Sequence, residues 1–73
     1  MSDDVEVLAA AGKALYGERW QSPIARDLAT TDRTVRNWLG RVHPVPPHIR
    51  SKIELLLVER GQIIQTVLTT IRM

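Results

Sequence analysis

The sequence predicts an all-α domain of four to five helices, and three observations support that fold class. Apolar residues recur at three-to-four spacing near the N-terminus and again from about residue 47 to 72. Two short apolar patterns of helical spacing lie between Ser22 and Arg41. Glycine and proline residues, which commonly end helices, lie between these segments. With 73 residues, the chain is expected to form a single small domain (1–73) that association with another copy would help to stabilise.

Composition narrows the class of protein further. The chain contains no cysteine, which excludes disulfides and cysteine metal sites, and no apolar run is long enough to span a membrane. The acidic segment Met1–Asp4 lacks the pattern of a signal peptide, so we expect a cytoplasmic protein. There is no carboxylate pair, nucleophile–base set, glycine-rich phosphate loop or zinc signature. We therefore expect neither an enzyme nor a bound cofactor.

Positive charge is concentrated in the middle of the chain. Residues 19–52 contain seven Lys and Arg residues against two Asp residues, a net charge of +5, whereas residues 1–18 have a net charge of −3. A basic region confined to one part of a small domain suits a polyanion such as DNA, although a solvated basic face without a partner is also common.

The first helix is predicted from about Asp4 to Tyr16. Its apolar side chains at three-to-four spacing form one face that builds the core, and Gly17 is placed to end the helix in a left-handed cap. Trp20 follows in the connection. We interpret it as an aromatic plug at the edge of the core rather than as a base-stacking residue.

The second helix is predicted to begin at Ser22 and Pro23. A serine hydroxyl accepts hydrogen bonds from free backbone N–H groups at a helix start, and proline is favoured at the first helical position. The inward-facing residues are Ile24, Ala25 and Leu28. Ala25 is small, so another helix could approach closely at this point.

The third helix is predicted after a turn at residues 29–31, with Thr31 as its N-cap. At about 100° per residue, Arg33 and Asn37 fall opposite the apolar side chains. Arg can bind guanine, Asn can pair with adenine, and Thr suits phosphate or the thymine methyl group. Any exposed helix carries polar residues, however, and Asp32 and Arg36 could form an ordinary surface ion pair. The apolar side comprises Val35, Trp38 and Leu39.

The run from Gln21 to Gly40 resembles the helix-turn-helix of phage repressor and Cro proteins, the XRE-type regulators. The resemblance implies a lambda-repressor-like fold with the motif at about residues 22–41 and an extended C-terminal helix at about 47–72. In that family the third helix lies in the major groove, dimers bind palindromic operators, and the usual role is transcriptional repression. Double-stranded DNA is thus the implied partner.

The resemblance also implies which residues bind DNA. Gln21 matches a glutamine that begins the second helix and touches DNA in family members, whereas Ser22 and Pro23 predict a start one residue later. Ala29 stands where the family often has glycine, and a left-handed Ala29 would carry a strain of roughly 1 kcal/mol. Arg33 and Asn37 are implied as the principal base-contacting residues. The residues at or near DNA are Thr31, Asp32, Arg33, Thr34, Arg36 and Asn37.

The segment after the third helix contains prolines at positions 44, 46 and 47. They predict a stiff, extended connection that could place Arg41 and His43 near a phosphate backbone. His43 and His48 lack a third ligand, so we expect no metal site.

The final helix is predicted from about Pro47 to Arg72, and Gly61 is placed to kink or split it. Its apolar stripe continues well past the residues that a small core requires. We expect the continuation to form a homodimer interface that sets two recognition helices near the ~34 Å repeat of DNA. Two alternatives are a tail folded back on its own domain and a membrane-surface helix, which the few basic residues disfavour. The expected interface residues are Ile63, Ile64, Val67, Leu68 and Ile71.

These observations predict a homodimeric, sequence-specific DNA-binding protein, with transcriptional repression by occlusion of the operator as its expected role. One alternative is a protein-interaction module, antitoxin-like or an adaptor, whose apolar C-terminal helix binds a different protein. Another is a DNA-docking subunit of a recombinase or terminase.

Overall fold

The computed structural model describes residues 3–73, so Met1 and Ser2 of the acidic N-terminal segment lie outside the described residues. The described chain is all-helical, as predicted, and it contains four helices. None of them is long and apolar enough to cross a membrane. They are α1 (Asp4–Tyr16), α2 (Gln21–Asp27), α3 (Asp32–Leu39) and α4 (Pro47–Arg72).

Side-chain and backbone caps define both ends of α1. The Asp3 carboxylate accepts a hydrogen bond from the Glu6 backbone N–H at 2.9 Å, which satisfies one of the free donors of the first turn. At the other end, the Gly17 N–H donates to the Lys13 carbonyl. Gly17 has the expected positive φ of 78°, but its ψ of −152° lies outside the left-handed helical region. The predicted helix bounds are therefore confirmed, and the predicted left-handed cap is not formed.

The Asp3 cap makes part of the stability of the protein dependent on pH. Its hydrogen bond with the Glu6 N–H, followed by the Arg41 guanidinium, holds the pKa of Asp3 below its ordinary value. The unfolded chain therefore binds this proton more tightly than the folded chain. The contribution of Asp3 to stability is complete above about pH 5 and is lost progressively as the pH falls through the lowered pKa.

Replacing Asp3 with asparagine is expected to flatten this dependence, because asparagine caps a helix about as well but does not titrate. Urea unfolding between about pH 5 and pH 2 should show a smaller fall in unfolding free energy for Asp3→Asn than for the wild type. Equal slopes in the two proteins would contradict the assignment.

A single hydrophobic core joins the four helices. Trp20 is buried against α1 at Gly12, where a Cβ atom would lie 2.1 Å from Cε3 of the indole ring. The absence of a side chain at Gly12 permits this close approach, and the interpretation of Trp20 as an aromatic plug is confirmed. The buried core side chains are Leu8, Ala11, Trp20, Ile24, Ala25, Leu28, Val35, Trp38, Val45, Ile49 and Ile53.

The start of α2 differs from the prediction. The helix begins at Gln21, because the Trp20 carbonyl accepts the Ile24 N–H at 3.0 Å. Ser22 does not act as the N-cap, since its hydroxyl donates to the Asp32 carboxylate instead. Pro23 takes the third helical position, which is still within the first turn, where its missing N–H removes no intrahelical hydrogen bond.

The α4 helix begins with Pro47 at its first position, where proline is favoured, and runs for 26 residues. It passes through Gly61 without interruption, so the predicted kink or split is absent. Ile49 and Ile53 in its first half are buried in the core. Beyond Arg60 the helix projects from the domain, with every residue from Gly61 to Val67 exposed. The alternative of a tail folded back on its own domain is therefore wrong.

Candidate nucleic-acid interface

The turn between α2 and α3 is built from backbone hydrogen bonds around a left-handed residue. The Thr30 N–H donates to the Ala25 carbonyl at 2.8 Å, and the Ala29 N–H donates to the Arg26 carbonyl at 3.0 Å. This pair of hydrogen bonds is the Schellman pattern that ends a helix. Ala29 has a φ of 57°, so the left-handed conformation considered from the sequence occurs here without a glycine.

Threonine side chains define the first turn of α3. The Thr31 hydroxyl accepts a hydrogen bond from the Thr34 backbone N–H at 3.2 Å, which confirms Thr31 as the N-cap. Its Oγ1 atom also lies 3.0 Å from Oγ1 of Thr34. Both hydroxyls therefore lie together at the N-terminal end of the helix.

The two sides of α3 differ in burial as the sequence predicts. Val35 and Trp38 are buried, whereas Arg33 and Arg36 are exposed. Asn37 lies near Arg33 on the outward side and is half-buried. Within residues 3–73, neither the Arg33 nor the Arg36 guanidinium forms an ion pair, so both charges are available to an anionic ligand.

A side-chain hydrogen bond joins the first turns of α2 and α3. The Ser22 hydroxyl donates to Oδ2 of Asp32, which keeps the half-buried Gln21 at the same end of the helix pair as Thr31. The considered i,i+4 ion pair between Asp32 and Arg36 is absent from the described residues. Sequence reasoning missed the Ser22–Asp32 contact because it assigned the serine hydroxyl to capping.

Arg41 lies apart from the other candidate residues, beyond the C-terminal end of α3. It has a φ of 58°, and the next N–H, that of Val42, donates to the Asn37 carbonyl at 2.9 Å. Its guanidinium donates to the Asp3 carboxylate at 2.9 Å. The structure thus brings seven of the eight candidate residues onto α3 and the adjoining start of α2, and it pairs Arg41 with the N-cap of α1.

A second contact that the sequence did not reveal lies where α1, α2 and α4 meet. The Tyr16 hydroxyl donates to the Asp27 carboxylate, and Arg60 Nη2 lies 3.8 Å from Asp27 Oδ2. Partial burial, followed by the hydrogen bond with Asp27, raises the pKa of Tyr16 above its ordinary value. A signal was present in the sequence, because Arg60 is a charged residue within the apolar stripe of α4.

Comparison with known proteins found no matching family model, no similar curated protein and no similar solved structure. The candidate interface therefore depends on the burial, hydrogen bonding and charge of α2 and α3. His43 and His48 are both exposed, and residues 3–73 contain no group of three side chains able to hold a metal ion.

Proposed function

We propose that the chain is a homodimeric, sequence-specific DNA-binding protein of the XRE type and that it represses transcription by occluding its operator. The observation that carries the proposal is the outward side of α3. Arg33 and Arg36 are exposed there without carboxylate partners in the described chain, beside the amide of Asn37. The opposite side of the same helix is held in the core by Val35 and Trp38.

The chemistry of each side chain suggests its role on DNA. Arg33 is suited to bind the two acceptors of guanine, Asn37 to pair with adenine, and Asp32 to accept from the amino group of cytosine. Backbone contacts position a protein on the duplex without selecting a sequence. In our proposal these phosphate contacts come from Gln21, Thr31, Thr34 and Arg36.

Arg41 would also contact a DNA phosphate, in place of the Asp3 carboxylate that it binds in the free protein. Its ion pair with Asp3 is exposed to solvent, and exposed ion pairs contribute little to stability. A DNA phosphate could therefore replace the carboxylate at little cost.

The projecting half of α4 suggests how two copies associate. Ile64, Val67 and Ile71 follow the alternating three- and four-residue spacing of a coiled-coil seam, and Leu57 lies one seven-residue repeat before Ile64. Ile63 and Leu68 flank this seam. Ile64 and Val67 remain 54% and 53% exposed in the single chain. Residues 61–73 carry a single charge, on Arg72, so neither a basic membrane-binding face nor a charged partner is favoured. The same stripe on a second copy would cover these side chains.

Replacing Arg33 with alanine is expected to weaken operator binding by about 1–3 kcal/mol, or roughly 5- to 150-fold, because the guanidinium proposed to bind guanine is lost. The operator is first selected from a random duplex pool, and affinity is then measured by gel shift at several salt concentrations. Because Arg33 is exposed, its replacement should leave thermal stability unchanged.

Lys13→Ala is the matched control, since it removes one exposed positive charge from α1 rather than from α3. This variant should bind the operator within about twofold of the wild type. Equal losses in the two variants would show that only net charge matters. No loss in Arg33→Ala would contradict the assignment of α3 as the recognition helix.

A further inference from the structure

Arg60 occupies an unusual position in α4. It follows Leu57 by three residues and precedes Ile64 by four, so it falls in the seam that is otherwise apolar. Arg60 is half-buried, whereas the seven residues that follow it are exposed. It is thus the point at which α4 leaves the domain.

One guanidinium at this point contacts the ends of two other helices. Arg60 Cζ lies 5.5 Å from the centroid of the Tyr16 ring, within the range of a cation–π interaction. Tyr16 is the last residue of α1 and Asp27 the last residue of α2. The Tyr16 hydroxyl donates to the Asp27 carboxylate, and the Arg60 guanidinium lies near the same carboxylate. The three side chains therefore form one connected cluster.

The cluster connects α4 to the helix pair that carries the candidate interface. The other ion pairs of the described chain, Arg41–Asp3 and Arg50–Asp4, both lead to the N-terminal end of α1. Within residues 3–73, Arg60–Asp27 is the ion pair that joins α4 to α2. Since α2 packs on α3, the contact relates the direction of the projecting helix to the position of α3.

Small changes in this direction would matter for operator binding. The helix beyond Arg60 extends for about 18 Å, so a tilt of roughly 10° displaces its end by about 3 Å. That displacement is close to the ~3.4 Å separation of successive base pairs. Gly61 directly follows Arg60, and glycine lowers the local stability of a helix. A contact at Arg60 is therefore placed to restrain the direction of the projecting half where α4 leaves the domain.

We propose that Arg60, held by Tyr16 and Asp27, is a positioning residue that fixes the dimerisation helix relative to α3 and so sets the half-site spacing that the protein accepts. This inference depends on the proposed function. It assigns to Arg60 no contact with DNA and no role in forming the dimer.

The test replaces Arg60 with methionine, which keeps an unbranched side chain in the apolar seam and removes the charge. Arg50→Met is the matched control, because the same substitution there removes a different ion pair of α4, the one with Asp4 of α1. Arg60→Lys, which retains a cation near the Tyr16 ring, should restore most of the wild-type behaviour.

The first measurement requires no DNA. The chain has no cysteine, so spin labels can be attached to cysteines introduced at the exposed positions Arg36 and Thr69. Doubly labelled protein is diluted into unlabelled chain so that only distances within one copy are recorded. We expect a narrow distance distribution for the wild type and Arg50→Met, and one at least about twofold broader for Arg60→Met.

The second measurement compares operators whose half-sites are separated by one extra base pair. Affinity of the wild type and Arg50→Met should fall about tenfold or more on this operator, whereas Arg60→Met should lose about threefold or less. If the wild type binds DNA but both measurements are unchanged in Arg60→Met, the spacing role is overturned and DNA binding stands. If the wild type binds no duplex, the proposed function is overturned and the spacing role with it.

Discussion

Replacing Gly12 with alanine is expected to lower the unfolding free energy by about 1–3 kcal/mol. The new methyl group would lie 2.1 Å from Cε3 and 2.5 Å from Cδ2 of Trp20. The indole ring is buried and rigid, so it cannot avoid the clash by a small rotation. Either the ring leaves the core or α1 moves away from it, and both changes lose apolar contact.

Gly61→Ala is the matched control, because a Cβ at that position meets no atom within 4 Å. Alanine has the higher helix propensity, so this variant should gain about 0.5–1 kcal/mol of stability. Urea unfolding measures the change in unfolding free energy of both variants. All samples are compared at one protein concentration, since the stability of a dimer depends on concentration. If Gly12→Ala is as stable as the wild type or gains stability as Gly61→Ala does, the Gly12–Trp20 contact does not limit packing.

Replacing Val67 with glutamate is expected to convert the proposed homodimer to monomers and raise its dissociation constant about 100-fold or more. Val67 is half-exposed in the single chain, so the fold tolerates a carboxylate there. In the proposed dimer, both copies would bury this charge without a partner, at a cost of several kcal/mol per ion. Because two linked half-site contacts strengthen binding by about 10²–10⁴-fold, operator affinity should fall by a similar factor.

Gln62→Glu introduces the same charge on the opposite side of α4 and should leave the dimer intact. Sedimentation of both variants gives the association state, and circular dichroism verifies that each remains helical. If Val67→Glu still sediments as a dimer, the proposed interface is wrong. If the wild type is a monomer, the apolar stripe is instead a surface for a different protein.

Sequence periodicity was sufficient to predict the bounds of α1 and the inward and outward sides of α3. Both depend on apolar side chains that repeat every three to four residues, a pattern that burial of one helix face produces directly. Thr31 was also predictable as a cap, since its partner Thr34 is only three residues away. The outward position of Arg33 and Asn37 follows from the same periodicity, so most of the candidate interface could be named in advance.

Two predictions made from the sequence were wrong, the N-cap at Ser22 and the helix break at Gly61. Ser22 had the residue type and position of an N-cap, yet its hydroxyl donates to Asp32, ten residues further along. Gly61 had the residue type of a helix break, but a glycine costs only about 1 kcal/mol and the helix continues through it. At Ser22 a tertiary contact overrode the local preference, whereas at Gly61 the local cost was too small to end the helix.

Local sequence thus suffices for the helical class, the core-facing residues and the outward residues of α3, because caps and periodic burial involve neighbours in the chain. The pairing of Arg41 with Asp3, 38 residues away, and the cluster of Arg60 with Tyr16 and Asp27 required the folded arrangement. Charged side chains on exposed surfaces have many possible partners of similar energy. The packing angles of the helices select among those partners, and these angles arise only when the core is assembled.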